Sequence, residues 1–247
     1  MEWLILFIGF YLYVDYTPAH SSQLENGLVA YYSFNACDAR DDSGNGSNGT
    51  MHGRVQCWCG IEDDGLLFDG RQGYVQFEGI VNAYFSTSDL TVSFYIKPES
   101  RSPFKQSLLS KRDACHLEHA FDLFLNYSQK EITTIFHESE DKYFKNLAPA
   151  VEELGWMHVA IVREGASAAS YINGQLHRRS FKCSGVDISN AADLIFGKSP
   201  CVEEGRARPF KGVLDELRVY DRALDEEEIL QLYQQYPVEH AMVDCVT

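Results

Sequence analysis

The sequence is poor in positive charge. Its 247 residues carry 21 Lys+Arg against 36 Asp+Glu, a formal net charge of −15. Nucleic-acid binders cluster basic residues against phosphates, so that class of partner is excluded. Long apolar runs are also missing. Trp3–Val14 has 12 residues without charge, whereas a membrane-spanning helix needs about 20, and no later run approaches that length. No Gly-x-Ser-x-Gly, His-Glu-x-x-His or Cys-x-x-Cys is present, and no Gly-Lys-Ser/Thr follows the glycine loop Asp42–Thr50, so the usual nucleophile elbow, zinc protease helix and zinc knuckle are absent and that loop is not a phosphate loop. The eight histidines form no triad-like arrangement. There is no internal repeat and no strong linker.

The residues that are abundant point to a folded, secreted, strand-rich chain. Hydrophobic residues make up 45% and aromatics 13%, enough to bury a core and biased towards strands. Seven cysteines fit an oxidising compartment. Trp3–Val14 followed by Thr17-Pro18-Ala19-His20-Ser21-Ser22 reads as a signal peptide over residues 1–22, although no Lys or Arg precedes the run. The sequons at Asn45, Asn48 and Asn126 agree with secretion.

The middle of the chain reads as many short strands. Leu90, Val92, Phe94 and Ile96 alternate onto one face, and Pro98 ends the run. Asn173-Gly174 between Ser170–Ile172 and Gln175–His177 predicts a hairpin with a type I′ turn, because both central residues need positive φ. One helix is expected from Asp225, its N-cap, with Glu228 completing a capping-box pattern. The acidic run Glu226–Glu228 is therefore read as a helix start. A single domain over residues 24–236 with a loosely held tail, 237–247, is the simplest organisation.

Several segments taken together resemble the laminin-G-like, concanavalin A-like jelly-roll modules of secreted proteins. They are Gly27–Phe34, Asp42-Ser43-Gly44-Asn45-Gly46, Leu67-Phe68-Asp69-Gly70, Leu90–Pro98, Gly155-Trp156-Met157-His158-Val159-Ala160, Tyr171-Ile172-Asn173-Gly174 and Phe210–Leu224. The resemblance implies an all-β sandwich of two antiparallel sheets with one short C-terminal helix. Glycoside hydrolases of this general fold are similar to one another in a Glu-x-Asp-x-x-Glu strand. That strand is missing here, and Glu138-Ser139-Glu140-Asp141 comes nearest. The chain is read as a non-catalytic recognition module for carbohydrate or glycoconjugates. A protein-binding adhesion or matrix module is the alternative, followed by a hydrolase without the usual carboxylates.

Asp215 is the first candidate metal ligand. Strict alternation through Val213–Val219 places it on the face of Val213, Leu217 and Val219, with Arg218 pointing away, and a buried carboxylate needs a partner. The resemblance implies one Ca²⁺ near this strand and the glycine loop, with Asp42 as second ligand and Asn35 where many members have an acid. His158 is expected to be structural. Cys115-His116-Leu117-Glu118-His119 and Cys57-Trp58-Cys59 are read as disulfide rather than zinc sequence. Cys37 with Cys57 or Cys59, and Cys183 with Cys201, are the pairs closest in sequence, but connectivity stays open. The odd cysteine is assigned to Cys245, free or linking two chains. Trp58, Tyr84, Phe85, Tyr143 and Phe144 are the candidate exposed aromatics for a sugar site; the ligand itself is not readable.

Overall fold

The computed structural model describes residues 21–99, 101–116, 118–149, 154–181 and 185–241. The signal-peptide run, Cys183 and Cys245 lie outside the described residues. In chain order the strands are β1 (Leu28–Tyr32), β2 (Gly49–His52), β3 (Val55–Cys59), β4 (Asp64–Asp69), β5 (Tyr74–Phe77), β6 (Leu90–Pro98), β7 (Gln106–Lys111), β8 (Ala120–Asn126), β9 (Glu131–His137), β10 (Tyr143–Pro149), β11 (Met157–Glu164), β12 (Ser167–Ile172), β13 (Gln175–Phe181), β14 (Leu194–Phe196), β15 (Arg208–Pro209) and β16 (Lys211–Tyr220). The helices are α1 (Ser21–Glu25), α2 (Pro200–Glu203) and α3 (Glu226–Gln235).

The first sheet runs β13-β12-β11-β6-β16-β4-β3, with β1 also on β16; the second runs β10-β9-β8-β7-β14-β5-β2, with β15 on β7. The sandwich core lies between them. Leu90, Val92, Phe94 and Ile96 all enter it, as the period-2 pattern requires. Phe rings from both sheets interlock there, with Phe68 5.2 Å from Phe196 and Phe85 5.3 Å from Phe121. Each contributes roughly 1.5–3 kcal/mol by burial. Phe85 and Phe144 are thus core residues, not surface platforms; the local sequence does not show that a second sheet covers them.

The outer face of the first sheet is covered as well. On β6 the outward residues Thr91, Ser93 and Tyr95 are buried, and each finds a partner. Thr91 Oγ1 donates to the Arg222 carbonyl, Ser93 Oγ meets His158 Nε2, and Tyr95 Oη donates to the Tyr233 carbonyl. The cover is α3, which begins at the expected cap: the Glu228 amide donates to Asp225 Oδ1 and the Asp225 amide to Glu228 Oε2. Ile229 and Leu232 pack on Ala160, Val162, Ala169 and Tyr220. The tail is held further than expected, because Val238 and Ala241 pack against the Tyr95–Val213 cluster.

The β12–β13 hairpin turns at Asn173 (φ 51°) and Gly174 (φ 73°), both in the left-handed region that a type I′ turn demands. Cys37 is bonded to Cys57 and Cys115 to Cys201. Cys59 is also disulfide-bonded. Cys201 therefore takes Cys115 rather than its sequence neighbour Cys183, since α2 lies against the outer side of β8 and brings Cys201 beside Cys115 and Phe124.

Candidate functional site

The site forms where β16 departs from alternation. Its first half pairs with β4 through Lys211–Leu214, and its second half pairs with β1 through Leu217–Tyr220. Between them the register against β6 slips, from Asp215 opposite Tyr95 to Arg218 opposite Ser93. Glu216 sits at φ 52°, so the strand carries a β-bulge. The extra residue reverses the parity. Leu214, Leu217 and Val219 face the core, while Val213 packs outside with Ile61, Tyr95 and Trp156.

Asp215 accordingly leaves the core face assigned to it from alternation and faces outward, with Glu216 and Arg218 on the same side. Its carboxylate is satisfied by amides. Ile61 N donates at 2.7 Å, Glu62 N at 3.4 Å and Glu216 N at 2.9 Å. Burial and the neighbouring Glu216 charge push its pKa well up against those three donors. The fit depends on Gly60, where a Cβ would stand 2.1 Å from Asp215 Oδ2.

Asp42 belongs to a different network. Its Oδ2 accepts from Ser33 Oγ at 2.7 Å, and Oδ1 faces Arg40 Nη2 at 3.3 Å. Asn35 is exposed. Among the described residues, the group of three acidic, histidine or cysteine ligand atoms close enough to share an ion is Cys37, Cys57 and Asp64. Its two sulfurs are joined to each other. Asp215 and Asp42 thus sit in separate hydrogen-bond networks, Asp215 held by backbone amides and Asp42 by Ser33 and Arg40.

The residue that organises the glycine loop is Asp41, which sequence reasoning passed over for its neighbour. Its Oδ1 accepts from Tyr31 N, Ser43 N and Ser43 Oγ, and its Oδ2 from Ser47 N at 2.9 Å. Burial opposes ionisation, but these four hydrogen bonds outweigh it and hold the pKa below the usual carboxylate range. Asn45 Nδ2 ties the same loop to the Leu28 carbonyl at 3.2 Å. The loop is thereby fixed on β1, and Asp42 and Ser43 border a cavity.

That cavity has a volume of about 480 Å³ and lies between β1, β16, α1 and α3. Tyr31, Asp42, Ser43, Arg218, Tyr220 and Gln235 supply its polar wall, and Leu24, Leu28 and Leu232 the apolar one. Arg218 stacks 4.3 Å over the Tyr31 ring and binds Glu216 through Nη2. Tyr31 Oη donates to Glu216 at 3.0 Å. Burial alone would lower the Arg218 pKa, but the Glu216 charge and nearby tyrosines outweigh it, so the guanidinium stays charged. Burial pushes the Tyr220 hydroxyl up to about 12. Arg218 Nη1 and Tyr220 Oη are buried without a hydrogen-bond partner among the described residues. Each such group costs about 1–3 kcal/mol, and both residues border the cavity.

The remaining candidates are structural or scattered. His158 is fully buried and bonded to Ser93, and burial lowers its pKa to about 3. Glu138 lies at the β9–β10 turn, where Lys142 Nζ and the Asp187 amide hold it. Trp58 and Tyr143 are exposed, and Tyr84 is half-buried. Asn45, Asn48 and Asn126 are at the surface or half-exposed, and Ser128 Oγ donates to Asn126 Oδ1 at 3.0 Å.

The fold recurs in carbohydrate- and receptor-binding modules. The chain is similar to domain 4 of AbnA, a GH43 extracellular arabinanase from Geobacillus stearothermophilus solved with arabinotriose (TM-score 0.66, 21% identity, 84% of this chain and 98% of that one). It is also similar to the binding domain of Paraclostridial Mosquitocidal Protein 1 (0.68, 18%, 87% and 53%) and to the receptor binding domain of botulinum neurotoxin D (0.69, 15%, 86% and 53%). It spans about half the length of those two toxin domains. No curated protein matches it in sequence. At these identities the likeness is one of fold. The family assignment rests on the sequence itself: residues 69–230 match the profile of the concanavalin A-like lectin/glucanase superfamily, and the chain belongs to it.

Proposed function

We propose that the protein is an extracellular, non-catalytic recognition module that binds carbohydrate in the cavity beneath α3. The observation that carries this reading is the pair of buried donors without a partner among the described residues, Arg218 Nη1 and Tyr220 Oη, in two residues that border a 480 Å³ cavity. A sugar ring presents hydroxyls and an apolar C–H face together. Arg218 and Tyr220 would donate to ring hydroxyls, and Asp42 would accept from one. Leu24, Leu28 and Leu232 would cover the C–H face. Sites of this kind are mostly apolar with a few convergent polar groups. The disulfides support an oxidising, extracellular setting. An arabinanase domain of this fold, solved with arabinotriose, supports the ligand class.

A protein-binding reading rests on another surface. The edge strand β13 exposes Leu176 and Phe181, at 41% and 68%. Titrating neutral oligosaccharides into wild type, Tyr220→Phe and Asp42→Asn separates the two. The sugar reading expects binding that weakens about tenfold in Tyr220→Phe, the equivalent of one hydrogen bond to a charged or well-oriented group. Sugar affinity equal in all three proteins, or no affinity at all, would refute it.

A further inference from the structure

A second cavity lies on the opposite side of the sandwich, where β7 begins and β8 ends in the second sheet. It has a volume of about 230 Å³ and is lined by Pro103–Lys105, Asn126 and Gly205–Arg208. Two segments distant in sequence make it. β15 runs parallel to β7, with Arg208 opposite Gln106, and the Arg208 amide donates to the Lys105 carbonyl at 2.9 Å. The Cys115–Cys201 disulfide anchors the turn after α2, and Ala207 is buried against Phe124. The walls are therefore preorganised rather than gathered from free loops.

The charge of this cavity is opposite to that of the chain. Against a net −15, it collects Lys105, Arg206 and Arg208. Lys105 Nζ lies 4.2 Å over the Phe124 ring, and the Arg208 guanidinium 4.9 Å over the exposed Phe104 ring. Neither has a carboxylate within ion-pair distance among the described residues. Arg206 meets Glu204 at 3.4 Å on the surface. The buried acid of the region, Asp122, is taken by Arg112. Half-burial lowers the Lys105 pKa, and Lys145, Arg112 and Arg206 add repulsion against the pull of Asp122. The fold thus holds like charges together where a bound anion would relieve them. The size is below the roughly 300–1,000 Å³ of cavities for drug-sized ligands, which suits one sugar ring with its substituent. The exposed Phe104 ring offers a face for the sugar ring itself.

We propose that this cleft is a second binding site, taking a single acidic sugar residue whose carboxylate or sulfate is held by Lys105, Arg206 and Arg208. It is independent of the cavity beneath α3, so either can fail alone. The test is a calorimetric titration with a uronate or monosulfated disaccharide, its neutral parent, and inorganic sulfate. Ser128→Ala is the background, since it removes the sequon while keeping Asn126. The acidic disaccharide should bind at least about tenfold more tightly than its parent, since a charged hydrogen bond is lost with the acid. Arg208→Gln and Lys105→Gln should each weaken it by about as much. Arg71→Gln, an exposed cation elsewhere, should leave it unchanged. Raising salt from about 0.05 to 0.5 M should weaken it by screening. Equal affinity for acidic and neutral sugars, no binding, or an Arg208→Gln protein that binds like wild type would overturn the proposal. Sulfate binding as tightly as the acidic sugar would mark an adventitious ion only and overturn it equally. A melting temperature within a degree or so of the background would show that the variants are folded.

Discussion

Two arginines, Arg112 and Arg218, lie on opposite outer faces of the sandwich, the first largely covered and the second buried, and each is paired with a buried carboxylate. Arg112 binds Asp122 through Nη1, the Ala114 carbonyl through Nε and the Cys115 carbonyl through Nη2, both at 2.9 Å. Asp122 is completed by Ser110 Oγ at 2.8 Å. Arg218 has the same kind of partner in Glu216, but its Nη1 is buried without a partner among the described residues, and the residue borders a cavity. The first pair is closed, with its donors consumed in holding the fold. The second keeps a donor without a protein partner among the described residues, and this is the donor that the proposed sugar would take. A buried ion pair by itself therefore indicates neither stability nor function; the partner count of its donors separates the two uses.

The largest expected effect tests the closed pair. Arg112→Met leaves the Asp122 carboxyl at zero exposure without its cation and with Ser110 as a hydrogen-bond partner, so denaturant unfolding should show a loss of about 3–5 kcal/mol. Arg218→Met should lose a similar amount and abolish sugar binding as well. A stable Arg218→Met protein that still binds sugar would dissolve the contrast.

Asp215 offers a third case on the same strand as Arg218: a buried carboxylate satisfied by amides alone. Gly60→Ala would drive a Cβ into its Oδ2 and into the Glu62 carbonyl. Overpacking of this kind costs about 1–3 kcal/mol, read as a lower denaturant midpoint. The amide cage also predicts that metal-stripped protein melts at the same temperature with and without Ca²⁺. A calcium-dependent shift that Asp215→Ala removes would contradict that geometry.

His158 shows burial without any charged partner. Its pKa is about 3 in the fold against about 6.5 unfolded. Between those values the unfolded chain takes up a proton that the folded one refuses, so acid favours unfolding. Stability should fall by about 1.4 kcal/mol per pH unit below pH 6.5, down to about pH 3, through this residue. Comparing unfolding of wild type and His158→Gln across that window isolates the slope. Smallest is the helix start: Asp225→Ala should cost about 1 kcal/mol, as loss of an N-cap does, measured by thermal melting.

Much of the scaffold was legible because its signals are local. The alternation of Leu90–Ile96, the Asn173-Gly174 turn and the Asp225–Glu228 cap each depend on neighbours within a few residues, and each is present in the structure. The family resemblance supplied the topology that joins them. The site was less legible because it turns on a break in alternation. Nothing in Val213–Val219 marks Glu216 for the left-handed region, where a glycine or asparagine is the usual signal, so Asp215 was placed on the wrong face and Arg218 set aside. Asp41 and Asp42 are chemically identical in sequence. Only the donors from β1 and Ser47 distinguish the buried organiser from the exposed neighbour. The pairing of Cys115 with Cys201 across 86 residues likewise depends on where α2 lands.

The position of β16 also sets a timetable for biosynthesis. Among the described residues it is the last strand to be made, yet it occupies the middle of the first sheet, with β6 on one side and β4 and β1 on the other. Leu28, near the start of the domain, waits for Tyr220. Until that residue leaves the ribosome, three strands keep unpaired edges, and long-range closure of this kind is slow. A product truncated before β16 would carry those edges permanently and be prone to edge-to-edge aggregation. A stop codon placed shortly before Lys211 should therefore be as damaging as an early one.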